Sequence, residues 1–447
     1  MRSTLVIGLG KTGWSCVNFL KKQGQTVCVI DTRKNPPYLE KLQECYPDVE
    51  CYCGDWPDDL LERKFVGMVI SPGLAINDPL LQPLLINNEK FIGDIELFAR
   101  YVKAPVVAIT GSNGKSSVTS LLGKVAEQAG VRVAVGGNLG TPILELLNDE
   151  VELYILELSS FQLETTSSLK PEVAALLNTS PDHMDRYHDF SSYQQTKARV
   201  FLNSKYQLHH INEDWLSFSD TSTLVTFGGL SSGLSLSARK HWGLLQAGLE
   251  FWLCNGEERV LATKELTLSG QHHFDNALAV LAMSQLLGFS LSITKKVICE
   301  FTGLPHRCEL VQEIKHIRWF NDSKATNVGA AAASICSVGQ QTKNKVIFLA
   351  GGQGKNADFD SLQESVKGFV RTVIVFGEDA ERLQLSLSRF APVIRVESLA
   401  AAVSAAAKVA QMKDSVLFAP ACASFDMFEN FEARGEAFIR EVKRQLL

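Results

Sequence analysis

The chain has 447 residues, too many for one hydrophobic core and enough for about two to four domains at ~100–200 residues each. Its 45% hydrophobic and 21% charged fractions are those of an ordinary globular protein, and 44 Lys+Arg against 49 Asp+Glu leave a net charge of −5. That balance excludes a general nucleic-acid binder with a basic face, while permitting local phosphate pockets. Met1-Arg2-Ser3-Thr4 leads straight into an apolar strand, so no signal peptide is expected, and no run of ~18 apolar residues predicts a membrane span. Ten cysteines without a CxxC pair predict reduced thiols in a cytoplasmic protein and no zinc.

From Thr4 to about Gly93, apolar strands alternate with amphipathic helices, the pattern of an α/β fold with a largely parallel sheet. Gly8-Leu9-Gly10-Lys11-Thr12-Gly13 follows the first strand and opens a helix. Asp31 closes the next strand, Thr26–Ile30, eighteen residues after Gly13. Glycines there let backbone approach a phosphate, the helix N-terminus favours an anion, and the acid can hold a ribose. This stretch alone fits a nicotinamide-dependent oxidoreductase; it also fits a tight structural turn. Asp31-Thr32-Arg33 sets a cation beside the acid and makes a different nucleotide credible.

A second block opens at Pro105-Val106-Val107-Ala108-Ile109-Thr110, followed by Gly111-Ser112-Asn113-Gly114-Lys115-Ser116-Ser117. Val118, Leu121, Leu122, Val125 and Ala129 then recur at helical spacing until Gly130. A strand, a glycine-bearing Gly-Lys-Ser loop and a helix make an ATP site: amides converge on phosphate oxygens, Lys115 supplies charge, and the Ser116 hydroxyl can bind Mg²⁺. Further buried strands are expected at Val131–Val135, Leu153–Leu156 and Val173–Leu177. The third ends a few residues before Asp182-His183-Met184-Asp185-Arg186, and the second ends in Glu157, a hard oxygen donor suited to the same Mg²⁺. Between about Lys205 and Glu265, short segments such as Leu224–Phe227 and Leu249–Leu253 predict antiparallel strands in an insertion.

A third α/β block begins near Leu304-Pro305-His306-Arg307, with strands expected at Val346–Leu349, Thr372–Phe376, Val393–Val396 and Val416–Ala419. Phe425, Phe428, Phe431 and Phe438 form an aromatic series at helix-like spacing, most of it expected in the core. The reading is three domains, 1–93, 94–303 and 304–447. The first and last are Rossmann-like; the middle is P-loop ATPase-like, with a parallel sheet and a small antiparallel insertion. Composition and spacing reach a magnesium-dependent nucleotide-using enzyme and stop short of a substrate.

The chain resembles the Mur ligases along nearly its whole length. The matching segments are GLGKTG, Ser71-Pro72-Gly73, the phosphate loop, Gly136-Gly137-Asn138, Glu157-Leu158-Ser159-Ser160-Phe161-Gln162 and Asp182-His183-Met184-Asp185. They continue through Leu304-Pro305-His306-Arg307, Asn321-Asp322-Ser323-Lys324-Ala325-Thr326-Asn327, Pro420-Ala421-Cys422-Ala423-Ser424-Phe425-Asp426 and Asn430-Phe431. The NDSKATN segment is the part that points to a D-glutamate-adding member.

The resemblance implies ATP-dependent ligation of D-glutamate to UDP-N-acetylmuramoyl-L-alanine through an acyl phosphate, in peptidoglycan precursor synthesis. It implies a first domain that holds uridine diphosphate through Lys11, Thr12, Asp31, Thr32, Arg33, Ser71 and Gly73. Asn138, Ser159, Gln162 and His183 would line the muramoyl-alanine end. Gly111 to Ser117, Asn276, Arg307, Asp322 and Lys324 would hold ATP, and Thr326, Lys355, Ser424 and Phe431 the glutamate. Lys115, Glu157, His183 and Lys197 would be the catalytic set. Ser116, Glu157, His183 and Lys197 would carry two Mg²⁺ ions, with Lys197 carbamylated. By its own sequence context Lys197 is an ordinary helix-surface lysine. One departure stands out: His273 in Gly270-Gln271-His272-His273-Phe274-Asp275-Asn276 replaces the family's usual Asn, which puts the adenine contact there in question. The substrates are small molecules, and a monomer is expected. The rivals are a family ligase adding L-glutamate or another amino acid, the oxidoreductase, and a nucleotide-binding regulator without turnover.

Overall fold

A computed structural model describes residues 3–217, 223–230, 241–268 and 270–444. Its strands form three sheets. In the first, Glu50–Cys53, Val27–Asp31, Thr4–Ile7 and Gly67–Ile70 lie side by side in that order, all parallel. Leu5, Val6, Ile7, Val29 and Ile30 are each fully buried, as expected of strands covered on both faces. The helix Lys11–Lys22 packs so closely on the glycine turn that a Cβ on Gly13 would lie 1.8 Å from the Gly8 carbonyl oxygen.

The second sheet has nine strands. Its parallel part runs Val133–Gly137, Leu153–Glu157, Val106–Thr110, Val173–Leu176, Tyr206–His210, Thr223–Leu230 and His241–Ala247, and Glu250–Asn255 and Glu258–Ala262 add an antiparallel edge. The strand bearing the phosphate loop therefore sits inside the sheet, flanked by the strand ending in Glu157 and by the one leading to Asp182. Val118, Leu122 and Val125 of the helix Lys115–Gln128 are fully buried in a core shared with Ile109, Ile155 and the helix Gln271–Leu286. Gly130, at a left-handed φ of 81°, follows the helix end.

The antiparallel expectation for about 205–265 is corrected in part. Leu224–Phe227 pairs in parallel with Tyr206–His210 and continues the central sheet; only the last three strands form an antiparallel meander. Residues 218–222 and 231–240 of that stretch lie outside the described residues. The strand expected at Val131–Val135 runs instead from Val133 to Gly137, because Val131 still bonds back to Ala126 at the helix end.

The third sheet has six strands in the order Glu309–Ile314, Ile317–Asn321, Ser415–Phe418, Val346–Gly351, Val370–Phe376 and Val393–Arg395, parallel except for the first. The hairpin Glu309–Asn321 was not foreseen, and it carries the NDSKATN segment off its end. The aromatic series divides: Phe438 is fully buried, Phe425 is 69% exposed, and the helix begins only at Phe431.

Candidate active site

The three sheets direct the loops at their strand ends into one region. At the phosphate loop, Gly111 and Gly114 take φ of 155° and 83°, and a Cβ on Gly114 would lie 2.6 Å from Asn276 Oδ1. The loop is fixed from outside: Ser112 N donates to Asn178 O (2.8 Å), Asn113 N to Asn178 Oδ1 (2.8 Å), and the Ser112 hydroxyl lies 3.0 Å from Tyr193 Oη. Lys115 Nζ folds back on the carbonyls of Gly111 (2.8 Å) and Ser112 (3.0 Å).

One hydrogen-bond chain crosses from the third sheet to the second. The Arg307 guanidinium donates to Ser116 Oγ (2.5 Å), the Ser116 hydroxyl donates to Glu157 Oε2 (2.5 Å), and Asn138 Nδ2 donates to Glu157 Oε1 (2.8 Å). Glu157 is 2% exposed, and burial works to raise its pKa. The charge of Lys115 and the bonds from Ser116 and Asn138 outweigh this and hold it ionised below the usual glutamate range.

Lys197 lies 2% exposed and donates to the Gly111 carbonyl at 2.8 Å, with the Tyr193 ring 4.7 Å from its nitrogen. The surface-lysine reading is overturned: the helix Phe190–Ala198 turns this position inward. Burial, then the nearby Lys115 charge, hold its amine well below the usual lysine range. His183 sits at φ 58°, and burial draws its pKa to about 4 against the field of Asp182, so its imidazole is neutral at physiological pH. Asp182 joins the sheets again, accepting from Asn327 Nδ2 (3.0 Å) and lying 3.9 Å from Lys355 Nζ.

Between the second and third sheets lies a cavity of about 600 Å³. Of the residues assigned to ATP, Asn113, Gly114, Ser117, Asn276, Arg307, Asp322 and Lys324 line it, and so does His273. Burial and the neighbouring His272 draw the His273 pKa to about 3, so its ring is neutral and can donate or accept according to tautomer. Asp322 accepts from Cys308 N (3.2 Å) and from the Ser334 hydroxyl, while burial pushes its pKa up. Lys324 rests on the Phe431 ring at 3.9 Å; burial, then Arg307, lower its pKa to about 8.

The residues assigned to glutamate lie on three laced segments. Ala421 N donates to Ala325 O (2.9 Å), Gln353 and Ala423 exchange two backbone bonds, and the Ser323 hydroxyl donates to Phe431 O (2.8 Å). Ser424 is buried, and Thr326 lies two residues after the lysine that rests on Phe431. At the centre is Arg434, 1% exposed, with no carboxylate among the described residues at ion-pair distance. It donates to Ser323 Oγ, Ser323 O, Cys422 O and Ala423 O at 2.9–3.1 Å. Sequence reasoning missed Arg434, Asn178, Asn327 and Tyr193. The signal for Arg434 was an arginine three residues after Phe431 on the inner face of an amphipathic helix.

At the first sheet, Lys11 Nζ reaches the Gly140 carbonyl (2.9 Å), Thr12 lies in the first helical turn, and the Ser71 hydroxyl donates to Gly8 O (3.1 Å). A Cβ on Gly73 would meet nothing within 4 Å. Asp31 is 2% exposed and occupied: Leu9 N (2.7 Å) and the Arg33 guanidinium (2.7 and 2.9 Å) saturate it. Burial works against ionisation, but those bonds keep its pKa below the usual range. The carboxylate thus fixes the glycine turn, leaving Thr32 and the Arg33 edge exposed. Gln162 is similarly engaged. Its oxygen accepts from Ser159 N and Oγ (both 3.1 Å), and its amide donates to the buried Asp94 (3.1 Å).

The family model of the Mur ligase MurD-like N-terminal domain matches residues 2–93, that of the Mur ligase middle domain 109–284, and that of the Mur ligase glutamate ligase domain 306–422. This chain belongs to the Mur ligase family. It is 47% identical over 437 residues to the UDP-N-acetylmuramoylalanine–D-glutamate ligase of Pseudomonas putida, covering 97% of this chain and 96% of that one. To the enzyme of that name from Legionella pneumophila it is 42% identical over 441 residues, 98% of each. Among solved structures it shares the fold of a pseudomurein peptide ligase type C from Methanothermus fervidus (TM-score 0.62, 17% identity, all of both chains). It also shares that of the UDP-N-acetylmuramate-alanine ligase of Thermotoga maritima (TM-score 0.61, 16% identity, all of both chains). Family membership retires the oxidoreductase reading, in keeping with an Asp31 already saturated by protein donors. No helix among the described residues is long and apolar enough to cross a membrane.

Proposed function

We propose that this chain joins D-glutamate to UDP-N-acetylmuramoyl-L-alanine at the expense of ATP, releasing ADP and phosphate. The observation that carries the reading is the Arg307–Ser116–Glu157–Asn138 chain, which joins a phosphate loop to the end of a neighbouring strand and to the third sheet. The named relatives at 42–47% identity supply the substrates. ATP phosphorylates the terminal carboxylate of the uridine substrate, and the glutamate amine displaces phosphate from the acyl phosphate. Such chemistry rests on positioning and charge neutralisation.

In this reading the units 1–93, 94–303 and 304–447 bind the uridine nucleotide, ATP and glutamate respectively. Lys115 and Lys324 offset charge on the phosphates, Arg307 reaches them from the third sheet, and the cavity beside them takes the adenosine. Thr32, Arg33, Ser71 and Gly73 face the uridine nucleotide, with Asp31 as a support behind that surface; Asn138, Ser159 and His183 line the muramoyl-alanine end, with Gln162 bracing Ser159. Lys355, Thr326, Ser424 and Phe431 hold the glutamate, with Arg434 locking their loops. Among the described residues no three His, Cys, Asp or Glu converge on one point. The Ser116 hydroxyl and the Glu157 carboxylate, 2.5 Å apart, are the hard oxygen donors that Mg²⁺ takes beside phosphate oxygens. Ser116, Glu157, His183 and Lys197 are the groups that would hold two such ions, whose chemistry is to neutralise phosphate charge. For Lys197, burial beside Lys115 lowers the amine's pKa, which favours the free-base form that CO₂ requires for carbamylation. The ten free thiols support a reducing, cytoplasmic setting, and we take the chain to act as a monomer.

The test is phosphate release from Mg·ATP with the uridine substrate and D-glutamate, L-glutamate or neither. Release that needs both substrates and favours D-glutamate is expected. Preference for L-glutamate would retain the mechanism and change the product, and no release with either isomer would overturn the reading.

A further inference from the structure

Arg186 follows the Asp182–Asp185 segment and was given no role by its sequence context. Its guanidinium joins three pieces of chain that the function needs in register. Nη1 donates to the Pro72 carbonyl at 2.8 Å and Nη2 to the Leu74 carbonyl at 3.0 Å, so both neighbours of Gly73 are held from one side. Nη2 also pairs with Glu164 Oε2 at 2.9 Å, at the end of the helix Ser160–Glu164; the two side chains are only 13% and 11% exposed. The guanidinium carbon lies over the Phe161 ring, 3.9 Å from its centroid.

Phe161 is shared. Its ring meets the His183 imidazole edge-on at 4.7 Å between centroids and stacks on Tyr187 at 6.2 Å. The Tyr187 hydroxyl donates to the other oxygen of Glu164 at 2.6 Å, and Arg186 N closes the turn on the His183 carbonyl at 2.9 Å. On the far side, the gripped loop is tied to the glycine turn of the first sheet through the Ser71 hydroxyl. A continuous packed path therefore runs from the glycine turn, through Ser71–Leu74 and Arg186, to His183.

We propose that Arg186 is a positioning residue that sets the distance between the uridine-binding loop and the reaction centre, so that a long substrate anchored at one end presents its carboxylate at the other. The inference rests on the functional reading above. Only a planar fork can satisfy two carbonyls and a carboxylate while stacking on a ring; a lysine ammonium offers a point charge with no flat face. The carbonyls of Pro72 and Leu74 would lose a donor at a partly buried junction without it. Gly73, where a Cβ would meet nothing within 4 Å among the described residues, lies between the two gripped carbonyls.

The experiment measures the three Michaelis constants of wild type, Arg186→Ala and Arg186→Lys by phosphate release, with thermal unfolding as a check of folding. Loss of a charge-assisted contact of this kind predicts a rise of about tenfold or more in KM for UDP-N-acetylmuramoyl-L-alanine in Arg186→Ala. KM for ATP and for D-glutamate should stay within about twofold, Arg186→Lys should recover only part, and added guanidinium ion should lower the raised constant. Failure of wild type to turn over the uridine substrate would defeat the functional reading itself. With wild type active, an unchanged KM for the uridine substrate, or a parallel rise in all three constants, would overturn the positioning role. Should Arg186→Ala not fold, Arg186→Lys decides by the same criteria.

Discussion

Asp94 offers a prediction whose size can be worked from its surroundings. It opens the helix Asp94–Ala99 where the first sheet passes into the second, is 3% exposed, and supports Gln162 through one carboxylate oxygen while the other has no hydrogen-bond partner among the described residues. Burial pushes its pKa up to about 6, only partly opposed by the bonds from Gln162 and the local backbone. The folded state thus binds this proton more tightly than the unfolded chain. The stability it contributes is complete below pH ~4 and is lost as pH rises through ~6. A rise from 3.8 to about 6 corresponds to about 3 kcal/mol at pH 7, with roughly half of it appearing between pH 5 and pH 7. In Asp94→Asn the amide oxygen can still accept from Gln162, but nothing titrates. Urea unfolding of both proteins from pH 5 to pH 8 should show the variant gaining on wild type by about 1–2 kcal/mol between pH 5 and 7, with no further gain above. A difference that stays constant over this range would refute the reasoning, as would a variant that loses ground as pH rises.

Two further predictions concern the reaction. Lys197→Ala should abolish phosphate release, and short carboxylates such as acetate should restore part of it by placing an anion where the carbamate would stand. Full activity in that variant would remove the carbamate from the mechanism. Lys324, with its pKa lowered to about 8, carries its charge below that pH and loses it above. KM for ATP should therefore climb as pH passes 8 to 9 in wild type, and the climb should vanish in Lys324→Arg, whose cation persists; identical profiles would show that Lys324 does not meet the phosphates.

His183 makes a contrast useful for reading any pH profile. Because burial lowers its pKa to about 4, it contributes no limb near pH 6–7. It can serve as a neutral ligand throughout the working range.

Local pattern alone determined a good deal about this protein. Strand–glycine loop–helix units at Gly8 and Gly111, the acid at the end of Leu153–Glu157 and the buried runs of three α/β blocks all follow from periodicity and from the few residues that can make a turn against phosphate. Those signals are short-range, so they were legible in the chain. What tertiary structure decided was which groups face which. Asp31 is a sound ribose ligand by spacing, yet it is spent on Leu9 and Arg33 because its strand end is closed by its own loop. Lys197 reads as surface in a helix with little amphipathic character, and only the docking of that helix beneath the phosphate loop buries it. Arg307 and Ser116 are 191 residues apart in sequence, as are Asn327 and Asp182 by 145, and no local pattern encodes such pairs. They exist because three sheets built from distant parts of the chain turn the ends of their strands to one place, where long-range packing, rather than propensity, sets the geometry.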